Sequence, residues 1–148
     1  MDHRTIMEAS AGARLALLAD SFVRLTGRAL VPDGDVWGAQ AAILAHDTQN
    51  PPRFFYGNAR TLALFRMAPA QFLGLPSHES AEPAHRDERA AMFARLEADN
   101  VVFCYAGVRI AADGTRFQIS DAVIWNLVDE AGVRHGQAAW FDRWEMLQ

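Results

Sequence analysis

One cysteine, Cys104, stands among 148 residues, which excludes an internal disulfide framework. No apolar run approaches the roughly 20 residues that cross a bilayer, so a membrane-spanning role is not expected. Basic residues form no run: 14 against 18 acidic ones leave a formal charge of −4, and without a stretch that tracks phosphates nucleic acid is not expected as a direct partner. Proline, glycine and serine never gather into a linker, and no repeat or low-complexity tract recurs. From Met1 to Ser10 polar and charged residues stand where a signal peptide needs a hydrophobic stretch, so the expected location is cytoplasmic. The five histidines, His3, His46, His78, His85 and His135, have no zinc-gathering spacing, and Cys104 has no second thiol nearby. No nucleophile–histidine–acid set, phosphate-binding glycine loop or metalloprotease motif is readable, which argues against an enzyme.

What remains is an ordinary globular composition, 51% hydrophobic and 22% charged, at a length that suits one core. Leu15, Leu18, Phe22 and Leu25 recur at helical spacing and predict an amphipathic helix over 9–26, stopped by Gly27. Its stripe is expected to pack on the domain or, on a sharper reading, to meet a second copy. A loop with Pro32, Asp33 and Trp37 leads to a strand over 40–46, and Arg53 to Tyr56 pairs back on it. Asn58 is placed to cap a helix over 59–66, Pro69 suits the first turn of a short helix, and Glu82-Pro83 opens a helix reaching Asp99. Strands then run over 101–111, 115–128 and 133–142. Helix, two strands, several helices and three strands predict an α+β fold with an antiparallel sheet.

Asp113-Gly114 suits a two-residue type I′ turn, which pairs Ala112 with Thr115. Alternation then puts Val102, Cys104, Ala106, Val108 and Ile110 on one face with Phe117, Ile119, Asp121, Val123 and Trp125. Arg109, Arg116, Gln118, Ser120, Phe103, Tyr105 and Ile124 take the other face. Asp121 becomes a lone carboxylate among hydrophobes, in need of a partner, a ligand or a proton. Pairing Val128 with Val133 would set Trp140 opposite Asp121, its indole N–H within reach of the carboxylate; a bulge would change that, and Gln137 moves between faces with it. Cys104, mid-strand, is expected to be a small buried hydrophobe.

Several motifs resemble one family. Tyr56-Gly57-Asn58-Ala59 turns a strand into a helix, and Phe55 with Leu64-Phe65, Leu75-Pro76-Ser77 with Ser80-Ala81-Glu82, and Arg86 with Glu88-Arg89 follow in order. The tail carries Gly107-Val108-Arg109-Ile110, Gly114, Arg116-Phe117, Ile119, Ala122, Val123-Ile124-Trp125-Asn126-Leu127, Asp129, Gly132 and Gly136-Gln137-Ala138-Ala139. The chain resembles a stand-alone MEKHLA-type protein of the PAS-like superfamily over nearly its whole length. The resemblance implies a five-stranded antiparallel sheet whose concave face, under short helices, holds a ligand or a core. It divides the chain into an N-terminal helix and connecting loop over 1–38 and a PAS-like domain over 39–148. Such domains act by dimerisation or by coupling to an effector; with no kinase, cyclase or DNA-binding segment in view, output is expected through an effector protein or a homodimer.

The expected function is a sensory or regulatory module binding a small, partly apolar ligand. Asp121, Trp125, Trp140, Tyr56 and Gln137 are its candidate contacts, with Arg86 as a residue fixing the loop over the pocket. The dull alternative makes the aromatics plain core and Asp121 a structural carboxylate. No cofactor is identified: His85 is the position to test for haem, and the asparagine-cysteine-arginine motif of flavin light sensors does not occur. Two rival functions are a small lyase or isomerase with Asp121 as general base and a ligand-free interaction domain.

Overall fold

The computed structural model describes residues 1–81 and 86–147, the side chains of Arg86 and Arg89 excepted. The chain opens with α1 (His3–Ala11), where the Asp2 carboxylate accepts the Thr5 N–H at 2.7 Å. The single helix expected over 9–26 is two: the chain turns at Gly12, and α2 runs Arg14–Thr26 to the expected stop at Gly27. The turn lets both helices lie on one sheet face, burying Met7 and Ala11 from the first and Leu18, Ser21 and Phe22 from the second.

A hairpin of β1 (Ala42–His46) and β2 (Phe54–Gly57) leads into α3 (Ala59–Phe65), α4 (Pro69–Phe72), a 3₁₀ turn at Ser77–Ser80 and α5 (Arg86–Asp99). Asn58 caps α3 as its position predicts, accepting the Thr61 N–H at 3.1 Å. Three long strands follow, β3 (Val101–Ile110), β4 (Arg116–Val128) and β5 (Arg134–Phe141), then β6 (Arg143–Met146). All neighbours are antiparallel in the order β2-β1-β5-β4-β3. β6 continues beyond β5 after Asp142 and pairs with Phe117–Ser120 of β4, so the sheet has five strand positions, the central one divided between β5 and β6. The fold is α+β, as expected.

Bulges decide which face each side chain joins. The β3–β4 turn is a three-residue loop, not the two-residue turn expected: Ala111 donates to Thr115 at 2.8 Å, Gly114 donates to Ala111 at 3.0 Å, and Gly114 takes φ 86. That geometry is a type I turn followed by a left-handed residue. Arg109 therefore pairs with Phe117, and Gly107 with Ile119. The register then shifts twice, Tyr105 pairing with Ala122 and Val102 with Ile124, around Asp121 and Cys104 at φ 54 and 57. Each extra residue reverses the alternation beyond it. Phe117 and Ile119 before the bulge and Ala122 and Ile124 beyond it thus share one face, while Trp125 turns to the other. The β4–β5 turn pairs Val128 with Arg134 and not with Val133, and a third shift, near His135, then pairs Trp140 with Val123 in place of Asp121. Gly136 is needed there, since a Cβ would meet the His46 carbonyl oxygen at 2.3 Å.

The sheet is thus covered on both faces. Trp125, Tyr56, Phe65, Phe72, Phe117 and Phe141 are among the fully buried side chains, each stabilising by roughly 1.5–3 kcal/mol. Phe22 of α2 meets Trp125 edge-on at 4.9 Å on one face, and Phe65 of α3 meets Phe117 at 5.4 Å on the other.

Candidate functional site

Between the concave sheet face and the 3₁₀ turn with α5 lies a cavity of ≈ 60 Å³. Its apolar wall includes Leu44, Phe54, Ile119, Ile124, Phe141 and Met92; its polar groups come from His46, Ser77, Ser80, Arg109 and Gln137. The floor follows from register. His46 pairs with Gln137 and Gln137 with Asn126, while in the next inward-facing row Leu44, Ala139 and Ile124 align. Alternation sends both rows to the same side.

Gln137 is held in place. Asn126, 3% exposed, donates from Nδ2 to the Leu96 carbonyl at 3.1 Å and to Asn100 Oδ1 at 3.0 Å. Since a carbonyl only accepts, Asn126 turns its own oxygen to Gln137, whose Nε2 donates at 3.3 Å. Gln137 keeps one N–H and its oxygen for other partners. Ser80 donates to the Ser77 carbonyl at 2.8 Å, yet the Ser77 hydroxyl has no partner among the described residues although Ser77 is only 6% exposed. Arg109 is joined to the roof by a bridge with Ala81, and its Nη1 donates to the Val108 carbonyl at 3.2 Å.

Of the residues singled out from sequence, Gln137 lines this cavity. Asp121 does not: its side chain is 55% exposed and pairs with Arg143 at 2.9 Å, because the bulge it occupies turns it to solvent. Trp125 and Tyr56 lie under α1 and α2 on the opposite face, Trp125 because of the same bulge and Tyr56 through its pairing with Ala45 of β1. Burial pushes the Tyr56 phenol up, with Glu8 adding to the effect. Trp140, opposite Val123 and not Asp121, lines an open cleft of ≈ 700 Å³ with Trp144, Arg60 and the 30–41 segment. The Arg86 side chain and His85 lie outside the described residues. Cys104, expected inside, is exposed because its left-handed backbone carries it outward.

Arg109, Ser77 and His46 were not singled out from sequence. A two-residue turn would put Arg109 on the other face, and Leu75-Pro76-Ser77 carries no sign of burial at Ser77. Among the described residues, no three His, Cys, Asp or Glu side chains converge as metal ligands, and no helix is long and apolar enough to cross a membrane.

The family model of the MEKHLA domain matches residues 13–146. No curated protein matches the chain. Among solved structures, the PAS domain of a protein from Colwellia psychrerythraea aligns at TM-score 0.61 and 14% identity over 76% of this chain and 90% of that one. A fungal LOV domain photoreceptor aligns at 0.62 and 17% over 96% of both. The light-state dimer of the fungal blue-light photoreceptor Vivid aligns at 0.61 and 16% over 82% of this chain and 89% of that one. At these identities the likeness is one of fold.

Proposed function

This chain belongs to the MEKHLA domain family, and we propose that it is a PAS-like sensory or regulatory module whose concave cavity takes a small, partly apolar ligand and whose output is a change in protein association. The observation that carries the reading is the cavity's construction: an apolar wall interrupted by a few positioned polar groups, Gln137 anchored through Asn126 to the end of α5 and Ser77 buried with its hydroxyl unpartnered among the described residues. Small-molecule sites are commonly built this way. The association surface falls to α1 and α2. Their inward residues Met7, Leu18 and Phe22 cover the sheet, so a second copy or an effector would meet their outward side, where Val23 is 46% exposed, or the sheet itself once they undock.

The rival with Asp121 as a general base loses its geometry, since that carboxylate faces solvent beside Arg143. A thermal-shift screen of small metabolites tests the proposal against Ala139→Leu, which fills the cavity. A ligand that stabilises the natural chain and not the variant, and that shifts the mass measured by light scattering, is the expected result. Equal stabilisation of both would put the ligand outside this cavity and overturn the proposed site, and no hit would leave a ligand-free interaction domain.

A further inference from the structure

The geometry points to a short-chain carboxylate as the class of ligand this cavity takes, an inference that rests on the cavity being a binding site at all. Three observations on its wall converge. First, the wall carries a cation and, among the described residues, no carboxylate: Arg109 is there, and Asp and Glu are absent. Arg109 uses one of its five N–H donors on the Val108 carbonyl, so its planar fork retains donors that match the two oxygens of a carboxylate.

Second, the Ser77 hydroxyl is buried without a partner among the described residues. A buried hydroxyl in that condition costs stability unless something in the cavity bonds it. It is a donor able to meet an acceptor oxygen, and it shares the cavity with Arg109. Gln137 contributes its remaining N–H beside its one acceptor oxygen. The available polar groups are therefore rich in donors, which favours an acceptor-bearing anion over an ammonium or a neutral hydrocarbon.

Third, size limits the rest of the molecule. A cavity of ≈ 60 Å³ holds the equivalent of about four waters, at roughly 15 Å³ each. A carboxylate with a tail of one to three carbons fits; a fused-ring cofactor does not fit without rearrangement. The tail would lie against Ile119, Ile124, Leu44 and Phe141, where each buried CH₂ adds to affinity.

The test is a titration of the isotopically labelled full chain with sodium propionate, propionamide and 1-propanol at matched ionic strength, followed by amide chemical shifts of Ala138 and Ala139. Saturable shifts with propionate, and affinity about tenfold weaker for propionamide, are expected from loss of the charge-assisted bonds. Arg109→Gln is expected to weaken propionate about tenfold and leave propionamide unchanged; Ser77→Ala weakens it by a smaller factor. Should Arg109→Gln fail to fold, the propionate–propionamide comparison on the natural chain and the Ser77→Ala variant still decide. Equal binding of the acid and the amide overturns the carboxylate assignment while leaving the cavity as a site for neutral molecules. Absence of saturable shifts with all three probes overturns this assignment, and the screen described above then decides separately whether the cavity binds anything.

Discussion

Tyr56 and Trp125 stand in one row across the sheet, with Ala45 and Ala138 between them and Val101 beyond Trp125. Two large rings thus flank two small side chains, and α1 and α2 close over the row with Met7, Leu18 and Phe22 buried. The polar tips of both rings, Tyr56 Oη and Trp125 Nε1, lack a partner among the described residues. An unpartnered buried hydroxyl costs about 1–3 kcal/mol. Tyr56→Phe is therefore expected to raise stability by about 1 kcal/mol, read from urea denaturation; a loss would mean that the hydroxyl bonds something in solution.

Asp121 carries a different prediction. Its ion pair with Arg143 is exposed, so Asp121→Asn, which keeps tolerance for a left-handed backbone, should change stability by no more than about 0.5 kcal/mol. Asp121→Val keeps neither charge nor tolerance and should cost about 1–2 kcal/mol. Equal thermal denaturation midpoints for the two variants would show that the bulge is not present in solution.

Asn58 joins three segments. Its Oδ1 accepts from the Ile43 N–H, the Thr61 N–H and the Thr61 hydroxyl at 2.9–3.1 Å, and Nδ2 donates to the Val36 and Ala41 carbonyls at 3.0 and 2.9 Å. The side chain is fully buried. Asn58→Ala leaves several groups unbonded at once and should cost about 3 kcal/mol or more, in contrast to a typical exposed cap. Urea denaturation of the natural chain and the variant checks this.

Acid should weaken the fold through its turns. Asp113 is held at about 2 by the Thr115 N–H and hydroxyl and by Arg66. The His135 side chain and the Val133 N–H lower Asp129. At Asp47 burial works upward, but the N–H groups of Arg53 and Gln49 outweigh it and the net direction is down. Each carboxylate binds its proton more weakly folded than unfolded, so this contribution is complete above the unfolded value of about 4 and is lost as pH falls through the folded values. The urea midpoint should drop between about pH 4 and 2, and an Asp113→Asn, Asp129→Asn double variant should show a shallower drop from a lower start.

Local signals carried most of the architecture. Gly27 ends α2, Asn58 and Pro69 begin their helices, and the runs around Ile43, Phe55, Val108, Ile124 and Ala138 are strands, because capping, turn chemistry and alternation act over a few residues. Gln137 was legible as a candidate contact, but its face hung on the β4–β5 register, which the shift near His135 decides. The fate of Asp121 was not legible, since one unpaired residue in a strand reverses every face beyond it and leaves no mark on the hydrophobic pattern; the face of Arg109 hung on a turn one residue longer than Asp113-Gly114 suggests, and the burial of Ser77 on a 3₁₀ turn packed against the sheet. Helical spacing alone also missed the turn at Gly12.

The sequence by itself determined an antiparallel α+β sheet with helices before and within it, through periodicity and punctuation that need no tertiary partner. Only the tertiary structure decided what faces the cavity. Left-handed backbone at Cys104 and Asp121 and the close approach of Gly136 to His46 are settled by packing between strands distant in sequence, and they turn the expected carboxylate outward, while the longer β3–β4 turn and the docking of the 3₁₀ turn on the sheet bring Arg109 and Ser77 to the wall that Gln137 shares.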